Sequence, residues 1–366
     1  MKILVINTVP TDKNGITNVI FNYLKAMGND VAFDYVAINN PDAFYVNFLE
    51  EKGAALYTLK RRNVLGYIGS LCKIIKKNKY DAIHVHGNSH TVVLELLAAK
   101  LAGCKVRIIH AHSTGCNSVA LHKLLAGLFD CLCTDRLACG ESAGKFMFGL
   151  KPFEIINNGV DVEKFSFDNK AREVFRIKLA LTETDILIGH VGYFMPVKNQ
   201  SFLVDVFAEL AKNDSRYHLV LIGDGAMRTE IEQKVACLEL TNKVTFTGNI
   251  DNVSEYLNAI DIIIMPSLYE GLPLTLVEQQ ANGLQCVVSD TITSEADKTG
   301  NLRFLSLQAP ISDWVHTIEN SHCMQDRELR SKDAVIAIES AGYSIRKEAK
   351  KLVEYYKRMC CDKVEL

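Results

Sequence analysis

The chain has 366 residues, 48% of them hydrophobic and 23% charged, with 41 Lys and Arg set against 43 Asp and Glu. That length suits two domains of ordinary size, and the near-even charge leaves no positive field to hold a phosphate backbone, so nucleic acid is excluded as a partner. Lys2-Ile3-Leu4-Val5-Ile6 turns polar too soon for a signal-peptide core and no later stretch reaches transmembrane length, which predicts a cytoplasmic protein. Eleven cysteines are present, but Cys131-Leu132-Cys133 and Cys360-Cys361 lack the two-residue gap of common zinc sites, so reduced thiols in apolar positions are expected.

In chain order, apolar runs at Ile3–Asn7, Val31–Ile38, Ala82–His86, Lys105–His110 and Leu132–Ala138 predict strands. Helical patterns fall between them at Ile16–Met27, Pro41–Lys52, Leu65–Lys77 and Thr91–Leu101. Such alternation implies a doubly wound parallel sheet. The first strand's loop, Thr8-Val9-Pro10-Thr11-Asp12-Lys13-Asn14-Gly15, lacks the G-x-G-x-x-G dinucleotide fingerprint, although Gly15 permits close backbone approach. His84 and His86 end one strand, and His110 and His112 end another at the same predicted edge. Within Tyr67–Lys79, Lys73, Lys76, Lys77 and Lys79 alternate with Ile68, Leu71, Ile74 and Ile75, a pattern shared by a solvated helix face and a helix resting on anionic lipid.

A second strand series runs Ile186–Val191, Leu219–Ile222, Val244–Thr247, Asp261–Met265 and Cys286–Ser289. Two such halves meeting near residues 157–161 predict two Rossmann-like domains facing each other across a cleft, the usual place for a ligand. The domains are 1–160, with 345–366 crossing back to it as a helix, and 161–344.

The densest chemistry lies at Glu270-Gly271-Leu272-Pro273-Leu274-Thr275-Leu276-Val277-Glu278. Glu270 follows an apolar strand, and Glu278 lies in a helix whose periodicity, Leu274, Val277 and Ala281, stops at Gly283. At the carboxyl edge of a parallel sheet, the first helix amides carry partial positive charge toward a ligand. Amides for phosphate and two carboxylates for hydroxyl pairs suit a nucleotide-sugar.

These residues resemble the E-x7-E signature of family 4 retaining glycosyltransferases of the GT-B fold, and the likeness spans the chain. Asn157-Asn158-Gly159-Val160-Asp161-Val162-Glu163-Lys164-Phe165 resembles that family's interdomain P-N-G-V-D-x-x-x-F segment, and Val287-Val288-Ser289-Asp290 its next strand. Gly223-Asp224-Gly225-Ala226-Met227-Arg228 is similar to its G-x-G-x-x-R turn. Two positions depart from the pattern: Asn14 stands where the first Gly of a pair is usual, and Tyr193 where an Arg precedes Lys198.

The resemblance implies retaining transfer from a nucleoside-diphosphate sugar, a UDP-sugar, to a glycan or polyprenyl-diphosphate-linked acceptor in surface polysaccharide assembly. It assigns Glu270 and His112 to the donor sugar, Glu278 to the ribose, and Lys198, Arg228 and the amides of Leu272, Leu274 and Thr275 to the diphosphate, with Gly271 among the substrate-binding residues. Gly15 then approaches the substrates through its backbone, and Ile250 borders the nucleobase. No two aspartates stand two residues apart, so the D-x-D metal-diphosphate signature is missing and no metal cofactor is expected. A lipid-linked acceptor leaves peripheral contact with the inner membrane open. Two other readings fit the same residues: a GT-B sugar-nucleotide epimerase, and a non-catalytic nucleotide-sugar-binding partner.

Overall fold

The computed structural model describes residues 1–12, 14–321 and 326–361. Lys13 of the first loop and residues 362–366 of the predicted crossing segment lie outside them. The chain forms two compact units, Met1–Gly159 with Ile345–Leu366, and Val160–Ser344.

The first unit runs β1 (Lys2–Asn7), α1 (Gly15–Ala26), β2 (Ala32–Ala37), α2 (Ala43–Glu51), β3 (Leu56–Thr58), α3 (Val64–Asn78) and β4 (Ala82–His86). It continues through α4 (Val93–Leu101), β5 (Val106–Ala111), α5 (Val119–Leu124), α6 (Ala126–Leu132), β6 (Asp135–Ala138), α7 (Glu141–Phe148) and β7 (Glu154–Ile155). Its parallel sheet has the order β3-β2-β1-β4-β5-β6-β7. The strand order therefore reverses between β1 and β4, the place where open parallel sheets bind ligands.

The second unit comprises α8 (Asn169–Lys178), β8 (Ile186–Val191), α9 (Gln200–Asn213), β9 (Tyr217–Ile222), α10 (Arg228–Cys237), β10 (Val244–Gly248) and α11 (Val253–Ala259). Then follow β11 (Ile262–Met265), α12 (Leu274–Ala281), β12 (Gln285–Ser289), β13 (Leu302–Leu305), α13 (Ile311–Ser321) and α14 (Arg327–Ser340). The sheet order is β10-β9-β8-β11-β12-β13, all pairs parallel, with its reversal between β8 and β11. The last helix, α15 (Ile345–Cys361), belongs to the first unit, where it packs on α1.

Apolar burial holds each sheet between helices. Ile262, Ile263 and Ile264 are fully buried, each contributing about 1.5–3 kcal/mol of transfer free energy. Asp261, expected as the first residue of that strand, precedes it and fixes it instead. Its carboxylate pairs with Arg172 at 2.5 Å and Arg176 at 3.1 Å and accepts the Leu187 amide at 2.7 Å.

The Cys131-Leu132-Cys133 run is not strand: Leu132 ends α6, and only Asp135–Ala138 enters the sheet. Phe129 and Leu132 form that helix's buried face, a spacing of three that belongs to helix rather than strand. Cys133 and nine other described cysteines are free thiols.

α3 buries Tyr67, Leu71 and Ile75 in the unit's own core, leaving Lys73, Lys76, Lys77 and Lys79 exposed. The apolar face needed for insertion into lipid is thus already used, and the lysines form a solvated face. Among the described residues no helix is long and apolar enough to cross a membrane.

Candidate functional site

The reversal in the second sheet brings the loops after β8 and β11 side by side. Lys198 ends a single 3-10 turn, Pro196–Lys198, that begins on Pro196. Its ammonium donates to Glu270 Oε1 at 2.5 Å, and the Ser267 hydroxyl donates to the same oxygen at 3.0 Å. The Ser267 carbonyl in turn accepts from the Ser289 and Thr291 hydroxyls at 2.5 and 2.7 Å. Side chains 72 residues apart therefore form a partly buried ion pair, anchored from behind by the next strand.

Past Glu270, Gly271 is open on its Cβ side, with no atom within 4 Å. α12 begins after Pro273, which has no N–H, and no side chain caps its first turn. The amides of Leu274 and Thr275, in the first turn, have no intrahelical partner, while Leu272 and the Leu274 side chain pack against the core. Glu278 lies one turn further on and is half-buried. Burial of its carboxyl pushes the pKa up to about 7, with Lys164 pulling it back.

The neighbouring β9 and β10 loops are shaped by glycine. Gly223 has φ +136°, and a Cβ there would lie 2.1 Å from the Gly192 carbonyl oxygen, so no other residue lets the loops after β8 and β9 meet. Arg228 opens α10, but its guanidinium is held by Glu232 at 2.7 Å and Asp224 at 3.2 Å beside Gly248. It is therefore not part of the Lys198–Glu270 pair. Ile250 is partly buried against the core. Tyr193 is 55% exposed and lays its ring edge over Gly225.

Two residues of this edge escaped the sequence reading. His190, buried in β8, donates from Nδ1 to the Ile264 carbonyl at 2.9 Å, which leaves Nε2 an unpaired acceptor. That nitrogen and the Lys198 stem both lie against Gly192. Burial lowers His190 to about 4, with the Lys198 charge adding to the shift, so the ring is neutral. A lone His in an apolar strand is the signal that could have flagged it. Ser267 had no signal beyond its distance of three residues from Glu270.

His112 and Gly15 belong to the first unit. Gly15 begins α1, while Asn14, in the place of the first Gly of the usual pair, caps that helix by accepting the Thr17 amide at 3.0 Å. His112 receives orientation from both ends: its amide donates to Asn88 Oδ1 at 2.9 Å, and its Nε2 is hydrogen-bonded to His86 Nδ1 at 2.8 Å. Burial lowers His112 to about 4, partly offset by Asn158. His84 and His86, which end β4, are buried beside His110.

Comparison with known proteins shows the family and the fold. Residues 171–300 match the family described as Glycosyl transferases group 1, and residues 6–128 match Glycosyl transferase 4-like. The "Putative glycosyltransferase EpsF" of Bacillus subtilis is 34% identical over 328 residues, 84% of each chain. The Escherichia coli UDP-Gal:alpha-D-GlcNAc-diphosphoundecaprenol alpha-1,3-galactosyltransferase is 32% identical over 237 residues, 60% of each chain. Among solved structures, Anabaena Alr3699/HepE in complex with UDP superimposes with a TM-score of 0.79 at 16% identity, covering 98% of this chain and 100% of that one. This last likeness establishes the GT-B fold. By its identity to the Bacillus protein over most of both chains, together with the two family matches, the chain belongs to the group 1, GT4-type glycosyltransferases.

Proposed function

We propose that this glycosyltransferase takes its sugar from a UDP-sugar, transfers it with retention to a saccharide or polyprenyl-diphosphate-linked acceptor, and needs no metal at the diphosphate. The observation that carries this reading is the Lys198–Glu270 pair set at the sheet reversal beside the uncapped amides of α12. An ion pair on a site's wall can exchange partners. Lys198 turns to the diphosphate and Glu270 to the sugar hydroxyls, so neither charge is left alone when donor binds. The names of the relatives support the donor and acceptor classes: one is a UDP-Gal transferase acting on a diphosphoundecaprenol-linked sugar, and solved neighbours hold UDP and UDP-glucose.

In the step itself the acceptor oxygen bonds to the anomeric carbon on the face from which the diphosphate departs. The carbon–phosphate-oxygen bond breaks, and the acceptor's proton passes to the departing β-phosphate oxygen. Charge builds on that phosphate, where Lys198 and the first amides of α12 are preorganised donors. Arg228 contributes through the positive field of its turn after releasing Asp224, Glu278 accepts the ribose hydroxyls, and Gly271 leaves room for the donor. Ile250 borders the base. Gly15 and His112, assigned on family resemblance, serve the substrates from the first unit. Work on a lipid-linked acceptor places the enzyme in the cytoplasm against the inner membrane, with Lys73, Lys76, Lys77 and Lys79 offering an electrostatic contact.

The test is transfer of labelled sugar to a panel of lipid-linked saccharides, with and without EDTA, followed by NMR assignment of the new linkage. The expected product keeps the donor's anomeric configuration, and adding Mg2+ after EDTA leaves the rate unchanged. An inverted product, or activity that appears only with Mg2+, would refute the mechanism.

A further inference from the structure

Parallel pairing sets His86 directly opposite His110 and places His84 two residues earlier on the same face of the first sheet. All three imidazoles are buried, and one nitrogen from each lies within 4.8 Å of the others. His84 and His86 stack at 4.2 Å between centroids, and His84 and His110 at 5.3 Å.

Their hydrogen bonds are incomplete in a directed way. His84 uses Nδ1 on the Tyr356 hydroxyl at 2.5 Å, and His86 uses Nδ1 on His112. His84 Nε2 is buried without a partner, and so are both nitrogens of His110. Buried polar atoms are ordinarily satisfied, and unexplained exceptions point to a missing water or ion. Metal-bound histidines typically hold their second nitrogen in a hydrogen bond that fixes tautomer and ring plane, which is the arrangement on His84 and His86.

We propose that His84, His86 and His110 form a site for one divalent transition ion of the zinc class, held by His84 Nε2, His86 Nε2 and a nitrogen of His110. Three neutral imidazoles without carboxylate or thiolate suit zinc, cobalt, nickel or copper rather than magnesium or calcium. Coordination at about 2.0–2.1 Å sets the ligand nitrogens about 3.4 Å apart. The ion is structural: it locks His86 and, through it, His112, and the transfer step does not pass through it.

The experiment titrates CoCl2 into the untagged, metal-stripped full chain and follows visible absorption and melting temperature. Expected are one Co2+ per chain, d–d bands without the near-ultraviolet band of thiolate ligation, displacement by Zn2+, and a melting temperature that rises with ion concentration. The His110→Phe variant loses these responses, whereas His316→Ala, at an exposed position, keeps them. Should His110→Phe fail to fold, X-ray absorption on the zinc-loaded native chain decides, because the proposal requires about three imidazole ligands. No binding, thiolate bands, or equal binding by a folded His110→Phe variant would overturn it and leave ordered water as the cluster's partner.

Discussion

At the carboxyl edge of the second sheet, Lys198 and Glu270 neutralise each other at 2.5 Å; at the same edge of the first, His84, His86, His110 and His112 crowd together, and burial lowers the pKa of each. Both clusters sit beside a reversal in strand order, yet they answer burial differently. A paired charge can be handed to a substrate charge with little desolvation left to overcome. The partnerless nitrogens of His84 and His110 call instead for a group that brings lone-pair acceptors with it. The comparison teaches that one edge is prepared for exchange and the other for permanent occupation.

The largest break in this comparison is expected from Lys198→Ala. Removing a preorganised donor to the leaving group costs on the order of 10²–10³ in turnover, and it leaves Glu270 without its cation. Single-turnover transfer measures this directly, and a native rate would show that the diphosphate is held elsewhere.

Next comes Glu278→Ala, since a hydroxyl bond to a charged carboxylate is worth roughly 1.5–3 kcal/mol, or about ten- to more than a hundredfold in UDP affinity. Its pH dependence has a defined sign. The folded carboxyl titrates near 7 instead of 4.5, so it holds a proton that the unfolded chain has lost between those values. Its effect is to make stability fall as pH rises through that window. UDP affinity should fall when pH drops below 7 and the carboxylate is lost. Glu278→Ala should remove that component from calorimetric titrations run against pH, and an unaltered profile would take Glu278 out of the ribose site.

His110→Phe should sharpen the other half. In metal-free protein it replaces a ring with two unpaired buried nitrogens by an apolar ring, relieving a desolvation penalty of about 1–3 kcal/mol. Chemical denaturation should therefore find the variant at least as stable as the native chain. A marked loss would mean that His110 already has a partner in solution.

Tyr193→Arg is the smallest change. It restores a guanidinium beside Lys198 on an exposed loop, so UDP affinity should hold or tighten within a few fold, and a large loss would displace that loop from the diphosphate.

Much of the second site was legible because its signals are local. The apolar run ending at Met265, the seven-residue interval from Glu270 to Glu278 and the stop at Gly283 are read along one strand and one helix. What could not be read arises across the sheet. Nothing in either segment announces that Lys198 will meet Glu270, or that parallel register will put His86 against His110; both contacts depend on strand order. Short strands such as Leu56–Thr58 and Glu154–Ile155 carry too few residues for alternation to register. The Leu132 region misled because a buried helical face can imitate a short apolar strand. Arg228 was assigned from its turn motif, whereas its ion pairs with Asp224 and Glu232 are set by side-chain geometry within its own turn.

The most direct test of the central claim is calorimetric titration of the full chain with UDP, GDP, ADP and UDP-glucose, without divalent ions. The account predicts one UDP per chain, bound more tightly than GDP or ADP and weakened in both Lys198→Ala and Glu278→Ala. No UDP binding, or binding that both substitutions leave unchanged, would contradict it.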